Sequence, residues 1–126
     1  MKSVTIYSIG SCVTETRKGL FEVVLAYGEH RKYLTEAVND TTANRCVILG
    51  LIAAVKLLKE PCNVTLITTT RVGLRGLAKG KGPNLDLLHE LISLLSEKQC
   101  EFEFNELEGE GKSVNAFVKR AADASA

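Results

Sequence analysis

The sequence predicts an α/β fold with one five-stranded mixed sheet, the element order β-β-β-α-β-α-α-β-α and helices on both faces. Two patterns carry this prediction. Near the start, short alternating apolar segments separated by turn residues are typical of an antiparallel meander. Further along, apolar residues recur at helical spacing between β-branched segments, which indicates crossover units on the same sheet. The chain of 126 residues is 45% apolar and 25% charged, so we expect a single domain over residues 1–126.

The first three strands are predicted over residues 2–7, 20–27 and 31–38. Val4 and Ile6 alternate with polar neighbours in the first segment, and Gly10 with Ser11 bounds it. Residues 28–30 (Gly-Glu-His) form the tight turn between the second and third strands.

After the third strand, the spacing of apolar residues changes from alternating to helical, and the remaining elements are predicted from there on. Residues 44–59 place apolar side chains on one helical face, with Thr41 or Thr42 as the cap and Pro61 as the stop. Residues 63–68 are β-branched and predict a strand in the sheet interior. Four further elements complete the order: a short helix over 71–79, a helix over 85–99 capped by Asn84, a half-exposed strand over 101–105 and a last helix from 113 to about 124.

Charge and hydropathy exclude several classes of function. The formal net charge of +1 gives no long-range attraction for nucleic acid, so any such binding must come from local patches. No apolar run approaches a signal peptide or a membrane span, so we expect a soluble cytoplasmic protein with no membrane partner.

The four cysteines are scattered singly, with no CxxC pair and no neighbouring histidine: Cys12, Cys46, Cys62 and Cys100. This spacing indicates neither a zinc site nor a disulfide framework. We expect small buried apolar residues in a reducing compartment.

Several segments resemble motifs of the type-one ribonuclease H family, in the same order and over nearly the whole chain. Residues 6–12 (Ile-Tyr-Ser-Ile-Gly-Ser-Cys) are similar to its strand ending in Thr-Asp-Gly-Ser. Residues 41–49 resemble its helix start Thr-Thr-Asn-Asn-Arg-Met-Glu-Leu. Residues 66–70 resemble its Ser-Thr-Asp-Ser strand end, residues 84–87 the start of a later helix, and Asn115 the start of its alanine-rich last helix. The resemblance implies a ribonuclease H-like fold.

In that family four carboxylates hold two magnesium ions that activate water at a phosphodiester. At the matching positions this chain has two apolar side chains, one hydroxyl and one amide: Ile9, Val47, Thr69 and Asn115. Magnesium requires hard oxygen ligands, so the resemblance implies no catalytic residue, no metal and no cofactor. We therefore expect a domain that is not an enzyme, with Ile9 and Val47 packed together as an apolar plug.

One alternative keeps a metal. The family's loop histidine falls near Glu108, and Glu108 with Glu110 would rebuild a displaced site with residual metal-dependent ribonuclease H activity.

The start of the first helix carries the candidate substrate contacts. By resemblance, four side chains face the substrate backbone and minor groove: Thr41, Thr42, Asn44 and Arg45. The alternative is structural, since these residue types also suit a helix start and Arg45 can satisfy a neighbouring carboxylate.

Arg71, Arg75 and Lys79 recur at i, i+4 and i+8 in the predicted short helix, with Lys81 just beyond. Such a basic stripe would give weak, salt-sensitive phosphate binding, and its alternative is a solvated helix face.

The function expected from these patterns is weak binding of an RNA–DNA hybrid or RNA duplex without cleavage. An acidic segment opposes it, with glutamates at positions 101, 103, 106, 108 and 110. Segregated charge equally suits a protein partner, so the alternative is an interaction or assembly module that kept the fold.

Overall fold

A computed structural model describes residues 1–77 and 79–125, without the side chain of Arg75. Its elements confirm the predicted α/β class and order. They are β1 (Lys2–Val13), β2 (Lys18–Tyr27), β3 (His30–Val38), α1 (Ala43–Val55), β4 (Cys62–Thr68), α2 (Leu74–Leu77), α3 (Leu85–Glu97), β5 (Glu101–Glu106) and α4 (Gly111–Ser125). The strands form one sheet in the order β3-β2-β1-β4-β5.

The antiparallel meander is confirmed, but β1 is longer than predicted. β1 pairs antiparallel with β2, and β2 with β3. Beyond Tyr7 the strand continues to Val13, and Ser11 still pairs with Leu20. The prediction that Gly10 and Ser11 end the strand is wrong, because β2 supplies a partner for their backbone groups.

The second half of the sheet is parallel. β4 lies between β1 and β5 and pairs in parallel with both, with Leu66 beside Ile6 on one side and Phe104 on the other. The predicted interior position of β4 is therefore confirmed. β5 pairs with β4 and forms one edge of the sheet.

Helices cover both faces of the sheet, as predicted. α1 and α3 lie over the main core, where Ile6, Leu51 and Leu88 are fully buried. α4 lies over the opposite face, where Val118 packs in a smaller cluster with Val24. None of the helices in the described part of the chain is long and apolar enough to cross a bilayer.

Helix α1 begins at the predicted place and ends earlier. The Oγ1 atom of Thr42 accepts a hydrogen bond from the Arg45 backbone N–H at 3.2 Å, so Thr42 is the N-cap. The helix ends at Val55, four residues before the predicted end. The backbone carbonyl of Leu58, beyond the helix end, accepts a hydrogen bond from the Lys98 Nζ at 2.6 Å.

Helix α2 is a single turn, in contrast to the predicted span of 71–79. Gly73 precedes it with φ of +107°, a conformation that favours glycine. A Cβ on Gly76 would lie 2.0 Å from the Lys81 carbonyl oxygen, because the chain folds back onto this turn. The glycines therefore shorten the helix by allowing close backbone contact.

Candidate functional site

The four positions matched to the family's carboxylates lie around the carboxyl ends of β1 and β4. Ile9 pairs with Glu22 of β2 near the end of β1. Thr69 directly follows β4, which runs parallel to β1. Asn115 of α4 lines a cavity of about 240 Å³ together with Ile9 and Glu22. Val47 lies in the first turns of α1.

Close contact between β1 and α1 fixes the position of Val47. A Cβ on Gly10 would lie 2.7 Å from the Ala43 carbonyl oxygen and 2.9 Å from the Val47 nitrogen. Two residues before Gly10 in β1, the fully buried Ser8 hydroxyl donates a hydrogen bond to the Val47 carbonyl at 2.7 Å. The strand therefore approaches the helix backbone directly.

Ile9 and Val47 do not form the expected apolar plug. Val47 is 4% exposed and belongs to the main core under α1 and α3. Ile9 packs against the smaller cluster under α4. The two side chains lie on opposite faces of the sheet, because Ile9 shares the orientation of Tyr7 along β1.

These four side chains do not fit a pair of magnesium ions. They supply one hydroxyl and one amide as polar groups, and Val47 is enclosed in the core. Magnesium is held by carboxylates and other hard oxygen donors. In residues 1–77 and 79–125, no three His, Cys, Asp or Glu residues are placed to hold a metal ion.

The last residue of β5 and the acidic loop after it are hydrogen-bonded to the segment before α2. Glu108 accepts a hydrogen bond from the Arg71 guanidinium, an ion pair that raises the pKa of Arg71. Glu106 accepts one from the Val72 backbone N–H at 3.2 Å. The alternative of a metal site built by Glu108 and Glu110 gains no support from this arrangement, because a cation of the chain itself already neutralises Glu108.

The predicted substrate contacts at the start of α1 occupy different environments. Thr41 is 3% exposed, and its hydroxyl donates to the Thr42 carbonyl at 3.3 Å. Thr42 is exposed and caps the helix. Asn44 is half-buried, and its Oδ1 accepts a hydrogen bond from the Thr70 hydroxyl at 3.1 Å. The structure therefore joins the start of α1 to the end of β4.

Arg45 is held by the start of α3. Its Nη2 lies 2.8 Å from Asp86 Oδ2, its Nη1 lies 3.1 Å from Asp86 Oδ1, and Nη1 also reaches Asn84 Oδ1 at 3.5 Å. The hydrogen bonds from Arg45 lower the pKa of Asp86 from 3.8 to about 2. The geometry thus supports the structural alternative, in which Arg45 satisfies a neighbouring carboxylate.

The predicted basic stripe does not lie along one helix. Arg71 precedes α2 and is paired with Glu108, whereas Lys79 follows the helix in a turn and is exposed. The side chain of Arg75 lies outside the described part of the chain. The prediction that these residues form a stripe along one helix is wrong, because α2 spans Leu74–Leu77 and contains neither Arg71 nor Lys79.

Sequence reasoning missed three residues of this region. Asp86 and Thr70 are the partners of Arg45 and Asn44, and each lies more than 25 positions away from its partner in the sequence. Glu22 accepts a hydrogen bond from Tyr33 Oη at 2.7 Å, and burial, reinforced by this bond, raises the pKa of Tyr33. The signal that could have identified this contact is the alternation of side chains along β2 and β3, which places Glu22 and Tyr33 on the face covered by α4.

Comparison with known proteins identifies relatives of this chain. A sequence model of the family described as RNase H matches residues 1–79. Ribonuclease H of Moorella thermoacetica is 36% identical over 118 residues, which cover 81% of this chain and 78% of that protein. Ribonuclease H of Syntrophus aciditrophicus is 34% identical over 80% of this chain and 68% of that protein. The match to ribonuclease H of Desulforamulus reducens, 38% identical over 64% of this chain, spans half of that relative's length.

The fold is also found among solved structures. LC9-RNase H1, described as a type 1 RNase H with the type 2 active-site motif, superposes with a TM-score of 0.68. The superposition covers 100% of this chain and 74% of that chain, at 18% sequence identity. This similarity confirms the ribonuclease H-like fold.

The relatives contradict the prediction that the chain is not an enzyme. The proteins that match at 34% to 38% identity carry the name of an enzyme, so that prediction is wrong. The family model covers more than half of the chain, and two relatives above 30% identity are matched over two thirds or more of their length. The chain belongs to the ribonuclease H family.

Proposed function

We propose that this chain binds an RNA–DNA hybrid on a polar strip at the carboxyl ends of β1 and β4, which consists of Thr42, Asn44, Thr69 and Thr70. The observation that carries the proposal is the hydrogen bond from the Thr70 hydroxyl to Asn44 Oδ1 at 3.1 Å. It joins two elements of the fold and fixes the orientation of the Asn44 amide. Thr41 is left out because it is buried.

The chemistry of the polar strip suits the minor groove of an RNA-containing duplex. Within the described residues, the Asn44 Nδ2 donates to no acceptor, so it is available to a ligand. Thr42 and Thr70 are exposed and present hydroxyl groups beside it. Amide and hydroxyl groups recognise 2′-hydroxyls and base edges in the wide minor groove of such duplexes.

The charge of the region predicts weak binding. Arg45 and Arg71 are paired with Asp86 and Glu108, so their charges are compensated. Lys79 is exposed after α2, and within the described part of the chain its side chain forms no ion pair. Because few cations of this region are uncompensated, affinity should fall only slightly as the salt concentration rises.

The relatives are named ribonuclease H, and the activity that this name suggests for the present chain is hydrolysis of an RNA strand. Ile9, Val47, Thr69 and Asn115 do not fit the magnesium pair that the family resemblance implies. Cleavage is therefore measured together with binding.

The test is a titration of a labelled RNA–DNA hybrid at low salt, with and without magnesium, alongside DNA and RNA duplexes of the same sequence. We expect binding that does not require magnesium and favours the hybrid over the DNA duplex. Asn44→Ala should weaken it several-fold, since one hydrogen bond contributes about 1 kcal/mol. Strand cleavage is followed in the same samples.

The matched control is Asn63→Ala. Asn63 is an exposed asparagine of β4 at the opposite end of the strand, so its removal should leave hybrid binding unchanged. Equal losses from Asn44→Ala and Asn63→Ala, or no hybrid binding at low salt, would overturn the proposed function.

A further inference from the structure

The sheet brings two of the scattered cysteines into register. Cys62 is the first residue of β4, and Cys100 directly precedes β5. β4 and β5 are parallel, and the first pair of the ladder is Asn63 beside Glu101. Cys62 and Cys100 each stand one residue before this first pair, so we infer that they lie side by side, which agrees with the electrostatic effect of Cys100 on Cys62.

The two thiols also lie on the same face of the sheet. Side chains alternate along a strand, so Cys62 shares the face of Val64 and Cys100 that of Phe102. Both cysteines belong to the main core under α1 and α3. Neighbouring strands lie about 4.8 Å apart, and disulfides bridge Cα atoms that are roughly 4.4–6.8 Å apart. The backbone therefore needs no large movement to join them.

We propose that Cys62 and Cys100 form a redox-active thiol pair that a low-molecular-weight disulfide oxidises to an intramolecular disulfide between β4 and β5. This pair lies at the amino ends of the two strands, away from the polar strip at the carboxyl ends.

The burial of the two cysteines indicates which of them reacts first with the small disulfide and which reacts second. Cys100 is 9% exposed and Cys62 is 2% exposed, so Cys100 is the thiol that a reagent reaches first. Burial, with a contribution from neighbouring Cys100, raises the pKa of Cys62 and keeps it protonated at rest. Cys62 therefore acts second, from within the core.

The reaction is balanced by two thiol–disulfide exchanges. The Cys100 thiolate attacks one sulfur of the small disulfide, which forms a mixed disulfide and releases one small thiol. Cys62, after giving up its proton, attacks the Cys100 sulfur and releases the second small thiol. The protein loses two protons and two electrons, and the small disulfide takes them up as two thiols.

A disulfide between Cys62 and Cys100 would link the edge strand β5 covalently to β4. β5 has β4 as its strand neighbour, and its register begins directly after Cys100. A bond between the two strands closes the chain segment that contains α2 and α3, which restricts the unfolded state. Oxidation should therefore raise Tm, and reductant should reverse the change.

The experiment treats the folded protein with oxidised glutathione, denatures it and alkylates the remaining thiols. We expect peptide mapping to find Cys62 joined to Cys100, whereas Cys12, the most exposed of the four thiols, carries a glutathione adduct at most. Cys12→Ser is the matched control, since it removes a half-exposed thiol and leaves the pair intact. Cys62→Ser should stop at a stable glutathione adduct on Cys100.

Alkylation of all four thiols after oxidation would overturn the proposal, as would a disulfide mapped to another pair. The mapping of the unsubstituted protein decides the question even if Cys62→Ser does not fold.

Discussion

The guanidinium of Arg45 and the carboxylate of Asp86 form a two-pronged ion pair between the starts of α1 and α3, with N···O distances of 2.8 and 3.1 Å. A planar fork on a carboxylate fixes orientation as well as distance. The pair therefore sets how the start of α1, which carries Asn44, lies against α3.

The ion pair makes stability depend on pH. Hydrogen bonds from Arg45 lower the pKa of Asp86 from 3.8 to about 2 in the folded protein. A lowered carboxyl pKa stabilises the fold above the unfolded value, and that contribution is lost as pH falls from about 4 to 2. Urea unfolding should thus show a stability difference between the parent and Asp86→Asn at pH 6 that shrinks toward pH 3. Asp123→Asn, at an exposed position of α4, is the control and should show no such difference.

The affinity of variants for an RNA–DNA hybrid distinguishes two roles of Arg45, namely positioning of α1 and direct contact with a phosphate. If Arg45 positions α1, Arg45→Ala and Asp86→Ala should both weaken binding by a similar factor, because each breaks the same pair. If Arg45 contacts phosphate, Asp86→Ala should tighten binding, since it removes a negative charge and frees the guanidinium. We expect the first result, measured by titration at fixed low salt. Unfolding curves at the same temperature identify variants that are partly unfolded.

The close approach of β1 to α1 should not tolerate a side chain at Gly10. A Cβ there would lie 2.7 Å from one backbone atom of α1 and 2.9 Å from another. Gly10→Ala should destabilise the fold by about 1–3 kcal/mol, the usual cost of overpacking. Gly111→Ala is the comparison, because a Cβ at that position meets no atom within 4 Å. Equal free energies of unfolding for the two variants would show that β1 and α1 can move apart freely.

Ser8 and Gly50 should be energetically coupled. A Cβ on Gly50 would lie 2.4 Å from Ser8 Oγ, which is hydrogen-bonded to Val47 O. Gly50→Ala should destabilise the parent but cost less in a Ser8→Ala background, where the hydroxyl is absent and alanine favours the helix by about 1 kcal/mol. A double-mutant cycle by chemical denaturation measures the coupling. Strict additivity of the two changes would contradict the close contact.

The periodic elements could be predicted from the sequence, whereas contacts distant in the chain could not. The spacing of apolar residues in α1 and the β-branched run of β4 identify both elements directly. The partner of Arg45 lies 41 positions away, and no local pattern identifies it. In the same way, the side-by-side position of Cys62 and Cys100 depends on the register of two parallel strands.

Two predictions failed for reasons that the sequence did contain. Helix α2 was expected over 71–79, although Gly73 and Gly76 fall inside that window and permit the tight return that ends it. The predicted contact between Ile9 and Val47 required the side chain of Ile9 to point from β1 toward α1. The alternation of β1 places Ile9 with Tyr7 under α4, away from the core that contains Val47.

The order of the sheet has a consequence for how the chain folds during synthesis. β1, β2 and β3 are joined by short turns and can pair as soon as they leave the ribosome. The other edge of β1 pairs with β4, where Ile6 meets Leu66 only after α1 has been made. Until then this edge presents unpaired backbone groups and the apolar face of the meander, a template for association with other chains. The interval between the synthesis of β3 and β4 is therefore the period in which the nascent protein is most exposed to aggregation.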